Sequence, residues 1–301
     1  MKKIKINSTD NYKLSLHIFD AKKPKAIIQI IHGMAEHQIR YENIANILSK
    51  NGFVVVTSDM RGHGLEEKEL GFFKNKDGHQ QLIEDQVKIR EYIEENYKGT
   101  PVILFGHSMG TIISRVLLQK HSDKYSKVIL SGAPSYQAAV GAGKLLSSII
   151  KICKGVKHDS KLLKTITTDS FNKSIKNPKT NLDWLSYNED NIQKYIEDDF
   201  CGFNFTASAY NDLFNLMGRM NKSSKYKNVN KDLEILFISG VDDPCTGGEK
   251  GLQRSIKTLR KAGFNHITKI DYDNMRHEIL NENNNEKVIE DILSFANKKE
   301  Q

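Results

Sequence analysis

The sequence predicts an α/β fold, a mostly parallel doubly wound sheet with a helical insertion. Two observations carry this. Short apolar runs of strand length alternate with segments of helical length and spacing as far as residue 134 and again from residue 234 onward, the pattern of successive strand–helix units. Between those blocks, residues 135–228 look helical and lack strand signals, so this block lies inside the series and is not a tail domain.

Residues 4–6 and 14–19 alternate apolar and polar around the turn cluster Asn7-Ser8-Thr9-Asp10-Asn11, which reads as an antiparallel hairpin at a sheet edge. Pro24 breaks the chain before a buried strand over 26–31, which runs into His32-Gly33-Met34-Ala35-Glu36-His37. A helix over 41–50 closes at Asn51-Gly52. The strand over 53–59 leads into Met60-Arg61-Gly62-His63-Gly64, followed by a long helix over about 79–96. Four apolar residues at 102–105 make the next strand, and residues 111–120 have helical length and spacing. A strand over 128–130 ends the first series at Ser131-Gly132-Ala133-Pro134. Helices are expected in the insertion over 144–153, 189–196 and 206–220. The alternation resumes with strand 234–240, helix 249–262 stopped by Gly263, strand 266–272 and helix 285–297. The predicted organisation is therefore core 1–134, helical cap (lid) 135–228 and core 229–301.

Composition limits the function classes. The 301 residues are 38% hydrophobic and 27% charged, enough to fill a core in a soluble protein. The net charge is +8, but the basic residues are spread along the chain and form no stripe interleaved with aromatics, so nucleic acid is not an expected partner. A mild attraction to anionic lipid surfaces is the more economical reading. Cys153, Cys201 and Cys245 make neither a disulfide framework nor a metal spacing. The basic N-terminus has no apolar run behind it and no stretch is long enough to span a bilayer, so the expected location is the reducing cytoplasm.

The chemistry centres on Gly106-His107-Ser108-Met109-Gly110. A strand, this Gly-x-Ser-x-Gly turn and a helix together form the setting of a nucleophile elbow, where a strained turn presents the serine hydroxyl at the strand's carboxyl end. A hydroxyl needs a base, and the base needs an orienting acid. In such a sheet they follow in the order Ser, Asp or Glu, His, on loops at strand carboxyl ends. Asp242-Asp243-Pro244-Cys245 follows the strand ending at Gly240, and Arg276-His277-Glu278 follows the last strand. His277 is the expected base, because His266 stands at the start of the last strand, the wrong end. Asp243 is preferred to Asp242, since Pro244 restricts it to an extended conformation that aims its side chain away from the turn. The expected oxyanion donors are the backbone N–H groups of Met109 and Met34. His37, His63 and His107 are read as loop residues making structural hydrogen bonds, and no spacing suggests a metal or cofactor.

These motifs resemble the α/β-hydrolase superfamily, and within it the monoacylglycerol lipase and bacterial lysophospholipase group, which is also filed with the serine aminopeptidases. The similarity rests on His32 to His37 with Arg40-Tyr41, Asp59-Met60-Arg61-Gly62-His63-Gly64, the Ser108 elbow, Asp243-Pro244 and Arg276-His277-Glu278. The segments Asp183-Trp184-Leu185-Ser186 and 195–203 resemble bacterial members. The resemblance implies hydrolysis of a carboxylic ester through an acyl-enzyme. Cys245 departs from it, standing where bacterial relatives more often carry Val.

A helical cap over the elbow would form an apolar tunnel for an acyl chain, with Leu213, Phe214 and Met217 as candidate lining. The mixture of apolar residues and lysines over 141–152 suits packing on the core first and a membrane surface second. The expected substrates are monoacylglycerols or lysophospholipids. Two alternatives stand beside this: an aminopeptidase or amidase, with Glu197, Asp198 and Asp199 receiving an amino group, and a non-catalytic ligand receptor on the same fold.

Overall fold

The computed structural model describes residues 1–298. Among these residues eight strands form one sheet in the order β1-β2-β4-β3-β5-β6-β7-β8. In chain order they are β1 (Lys2–Asn7), β2 (Lys13–Phe19), β3 (Ala26–Ile31), β4 (Phe53–Ser58), β5 (Val102–His107), β6 (Lys127–Ser131), β7 (Glu234–Gly240) and β8 (Ile267–Tyr272). The β1–β2 hairpin is antiparallel and joins antiparallel to β4, while all the remaining neighbours are parallel. The predicted edge hairpin is thus present.

The central strands are buried along their whole length because helices cover both faces. Successive side chains of a strand point to opposite faces, and the molecule uses this to fill two cores. Ile27, Val54, Val102, Leu104, Val128 and Phe237 enter the larger one, with α2 (Gly78–Asn96), α3 (Met109–His121) and α8 (Gly248–Ala262). Ile28, Val55, Ile103, Phe105, Ile129 and Ile238 enter the other, beneath α1 (Glu42–Lys50) and α9 (Glu286–Asn297). Each fully buried side chain of this kind contributes about 1.5–3 kcal/mol.

Between β6 and β7 the chain holds four α-helices and no strand among the described residues. They are α4 (Val140–Lys154), α5 (Lys161–Ile166), α6 (Glu189–Glu197) and α7 (Ala207–Met220). The helix expected at 144–153 starts a turn earlier, and the six-residue α5, capped by Ser160, lies outside the helices expected from the sequence. Helix α7 rests on the larger core through Leu213, Phe214 and Leu216. Helix α4 lies along it, with Gly143 so close to Phe214 that a Cβ there would come within 2.6 Å of the ring. The packing expected of α4 is therefore real, but only for part of its apolar surface: Leu145, Ile149 and Ile152 face outward, Ile152 at 84% exposure. Among the described residues no helix is long and apolar enough to cross a membrane.

Candidate active site

The parallel strands deliver their carboxyl ends to one rim of the sheet, and four loops there carry the predicted residues. Ser108 sits between β5 and α3 with φ 50° and ψ −118°, a conformation few non-glycine residues adopt. The flanking glycines permit it. A Cβ on Gly110 would lie 2.1 Å from the Ile31 carbonyl oxygen, and one on Gly106 would lie 2.7 Å from the Gly110 carbonyl oxygen. Strand and helix can meet this closely only without those side chains. Ser108 is half-buried and lines a cavity of about 800 Å³.

His277 follows β8 and lines the same cavity. Its Nδ1–H donates to Asp243 Oδ2 at 2.9 Å, so the neutral ring carries its lone pair on Nε2. That nitrogen is buried and has no partner among the described residues. The ring packs between Trp184 and His107, with centroid distances of 4.9 and 4.8 Å. Burial alone would lower the pKa of His277, but the Asp243 carboxylate overrides this and raises it above the ordinary histidine value. His107, equally buried, hydrogen-bonds Ser131 and no carboxylate, and burial with the neighbouring His277 pushes it down to about 4.

Asp243 is buried and extended (φ −77°, ψ 107°), as Pro244 requires of the residue before it. Its second oxygen accepts the Cys245 N–H at 2.8 Å, so it both caps the turn and faces the imidazole. Asp242 is exposed and accepts from the Tyr187 hydroxyl instead. Cys245 also lines the cavity, but burial, reinforced by Asp243, keeps its thiol protonated.

Neither the Met34 nor the Met109 N–H has a protein acceptor among the described residues. Met109 begins α3, where backbone donors are unpaired and the helix dipole favours negative charge. Met34 follows β3, and its peptide is fixed from behind. His32 Nδ1–H donates to the Gly33 carbonyl at 2.8 Å, while His32 Nε2 accepts the Met60 N–H at 3.0 Å. His63 repeats this arrangement, donating from Nδ1 to the Arg61 carbonyl and accepting the Ala35 N–H on Nε2. Both rings must be neutral to do so, and burial pushes both pKa values down. His63 thus has the structural role expected of it, and its role is to support the Met34 loop.

A buried ionic cluster beside this loop has no counterpart in the sequence reading. Glu36 accepts the Gly33 N–H and the Tyr41 hydroxyl on one oxygen and Arg40 on the other. Arg40 also forms a two-pronged pair with Glu278, at 2.7 and 2.6 Å. The motifs contained these residues, but no spacing rule links positions 40 and 278.

Leu213, Phe214 and Met217 all line the cavity, beside Ile112, Val140 and Leu182. Glu197, Asp198 and Asp199 do not; Asp198 pairs with His37 at 2.8 Å. Metal-binding side chains gather in two places among the described residues, Asp243–Cys245–His277 and His37–Asp198–Cys201, with ligand atoms within 4.8 Å of one another. In each, a carboxylate–imidazole hydrogen bond already takes the facing atoms.

A family model described as "Serine aminopeptidase, S33" matches residues 22–284. The chain belongs to this family. Within known proteins, the chain is 35% identical over 107 residues to a monoglyceride lipase homolog of Monkeypox virus, covering 36% of this chain and 38% of that one. It is 24% identical over 292 residues to Phospholipase YtpA of Bacillus subtilis, covering 92% and 96% of the two chains. The chain spans about two fifths of the length of the curated relatives it matches first. Among solved structures it superposes on a thermostable carboxyl esterase from Bacillus coagulans, in complex with glycerol, with a TM-score of 0.91 at 25% identity, covering 98% and 97% of the chains.

Proposed function

We propose that this S33-family chain is a serine hydrolase that cleaves the carboxylic ester of a single-chain lipid, a monoacylglycerol or a lysophospholipid. One observation carries the reading: a strained, half-exposed Ser108 shares an apolar cavity with a buried Nε2 of His277 whose other nitrogen is held by Asp243. In the proposed reaction, Ser108 Oγ bonds to the ester carbonyl carbon as its proton passes to His277 Nε2. The carbonyl oxygen takes the negative charge beside the Met34 and Met109 N–H groups. The C–O bond to the alcohol then breaks, the leaving oxygen takes the proton from Nε2, and an acyl-serine remains. Water repeats the sequence and releases the fatty acid. Asp243 holds the tautomer and stabilises the transient imidazolium. No residue in this scheme calls for a metal or cofactor.

The substrate class is supported by the cavity, whose size and apolar lining suit an acyl chain, and by the lipase and phospholipase names of the relatives. We read residues 135–228 as a cap over the site, flanked by core segments 1–134 and 229–301. The outward-facing Leu145, Ile149 and Ile152, with Lys144, Lys151 and Lys154 on the same helix, would rest on a lipid surface from which substrate enters.

A panel of monoacylglycerols and lysophospholipids of graded chain length, run beside prolyl amides, tests this. Ester turnover that is lost in Ser108→Ala and His277→Ala, with the fold intact by circular dichroism, is expected. Preferential cleavage of the amides would favour a peptidase, and undiminished turnover by either variant would remove the mechanism.

A further inference from the structure

The loop that carries Met34 contains an unusual residue. Ala35 has φ 51°, a left-handed conformation that strains a non-glycine residue. Such a residue holds its shape only where its surroundings fix it. Within the core, His63 takes the Ala35 N–H. The Ala35 carbonyl is held entirely from the helical segment: the Tyr195 hydroxyl donates to it at 2.7 Å and the Gly202 N–H at 2.9 Å.

Tyr195, on α6, is buried, and burial keeps its phenol protonated and so a donor. Its ring lies 4.8 Å beneath the Arg40 guanidinium, a cation–π distance. Arg40 in turn binds Glu36, which holds the Gly33 N–H, and Glu278, the neighbour of His277. Asn191, one turn before Tyr195, both accepts from Arg40 and donates to Glu278. The side of α6 that meets the core therefore touches the loop of the expected oxyanion donor and the loop of the expected base together.

We propose that Tyr195 is a positioning residue for ester hydrolysis: its hydroxyl locks the Ala35 peptide and so aims the Met34 N–H at the developing oxyanion. This rests on the Ser108 reading given above. The peptide on each side of Met34 has an external anchor, His32 on the Gly33 carbonyl and His63 on the Ala35 N–H, with Tyr195 one peptide further on. Removing the phenol hydroxyl leaves the strained Ala35 with one donor fewer on its carbonyl. The hydroxyl is thus worth most in the transition state, when the oxyanion exists.

The experiment compares Tyr195→Phe, which keeps the ring under Arg40, with the parent, both rates expressed per active site titrated by a fluorophosphonate, and with Ser108→Ala, whose rate is expressed per protein. Losing an oxyanion donor outright costs about a hundred- to a thousandfold in rate, so misaiming one should lower kcat by about tenfold or more, with KM within about twofold. The inhibition constant of an alkyl trifluoromethyl ketone, which forms a tetrahedral adduct on the serine, should weaken by the same factor. A substitution at Gly202, the other donor to this carbonyl, would strain its own backbone, because that glycine has φ 67°. Arg40→Lys, which breaks the two-pronged pair, therefore serves as the second variant and should show the same joint loss. Parent-like kcat and ketone affinity in Tyr195→Phe would overturn the proposal, as would a change in KM alone or a loss only of titratable sites. Turnover by Ser108→Ala would instead overturn the reading on which it rests, so the two failures are distinguishable.

Discussion

At the scale of single residues, the chemistry depends on which nitrogen of His277 is free. Its Nδ1–H is committed to Asp243, and the same carboxylate lifts its pKa above the ordinary value of 6.5. A base acts only when neutral, so kcat/KM for a soluble ester should rise with pH along a limb whose midpoint lies above 6.5. Asp243→Asn removes the cause of the shift. Its limb should move to lower pH, and its plateau should fall by about a thousandfold or more, because the imidazole loses both its tautomer and its counter-charge. Asp242→Asn should leave both nearly unchanged, since the Asp242 carboxylate meets the exposed Tyr187 hydroxyl and not the imidazole. A pH–rate profile for the three proteins checks this, and a dead Asp242→Asn would reverse the assignment of the acid.

At the scale of elements, the elbow is a packing solution before it is a chemical one. Gly110 lets α3 cross β3 at backbone contact, so Gly110→Ala must displace either the helix or the strand. Overpacking of this kind typically costs about 1–3 kcal/mol, and here the obstacle is backbone, so the upper end is expected in denaturant unfolding. Helix α4 poses the opposite case. Its outward apolar residues contribute little to folding, and replacing Ile149 and Ile152 together by Ser should leave the melting temperature within about two degrees. Sedimentation with anionic phospholipid vesicles should nevertheless show weakened binding, while turnover of a short soluble ester persists. Unchanged vesicle binding would remove the lipid-surface role of this helix.

At the scale of the whole molecule, the buried cluster of Arg40, Glu36 and Glu278 ties the two ends of the chain together and links the acid limit of stability to the site. Burial would raise the Glu278 pKa, but Arg40 overrides it and holds the carboxyl at about 2. A carboxyl depressed in the folded state stabilises it above the unfolded pKa, and that contribution fades as pH falls from about 4.5 toward 2. Glu278→Gln should therefore flatten the dependence of unfolding free energy on pH across that window. Much of the fold was legible in the sequence because its signals are local: strand-length apolar runs, Gly106 and Gly110 around Ser108, and Pro244 fixing its neighbour. What the sequence hid is non-local or short. The Arg40–Glu278 pair joins positions with no pattern between them, the Nε2 atoms of His32 and His63 each accept an N–H from the other's loop, and α5 is too short to show a helical period. The account stands most directly on the reactivity of one side chain. Incubated with a long-chain fluorophosphonate and mapped by peptide mass spectrometry, the protein should carry a single covalent adduct on Ser108, formed at least about a hundredfold more slowly in His277→Ala. An adduct absent from Ser108, or formed at the same rate without His277, would contradict it.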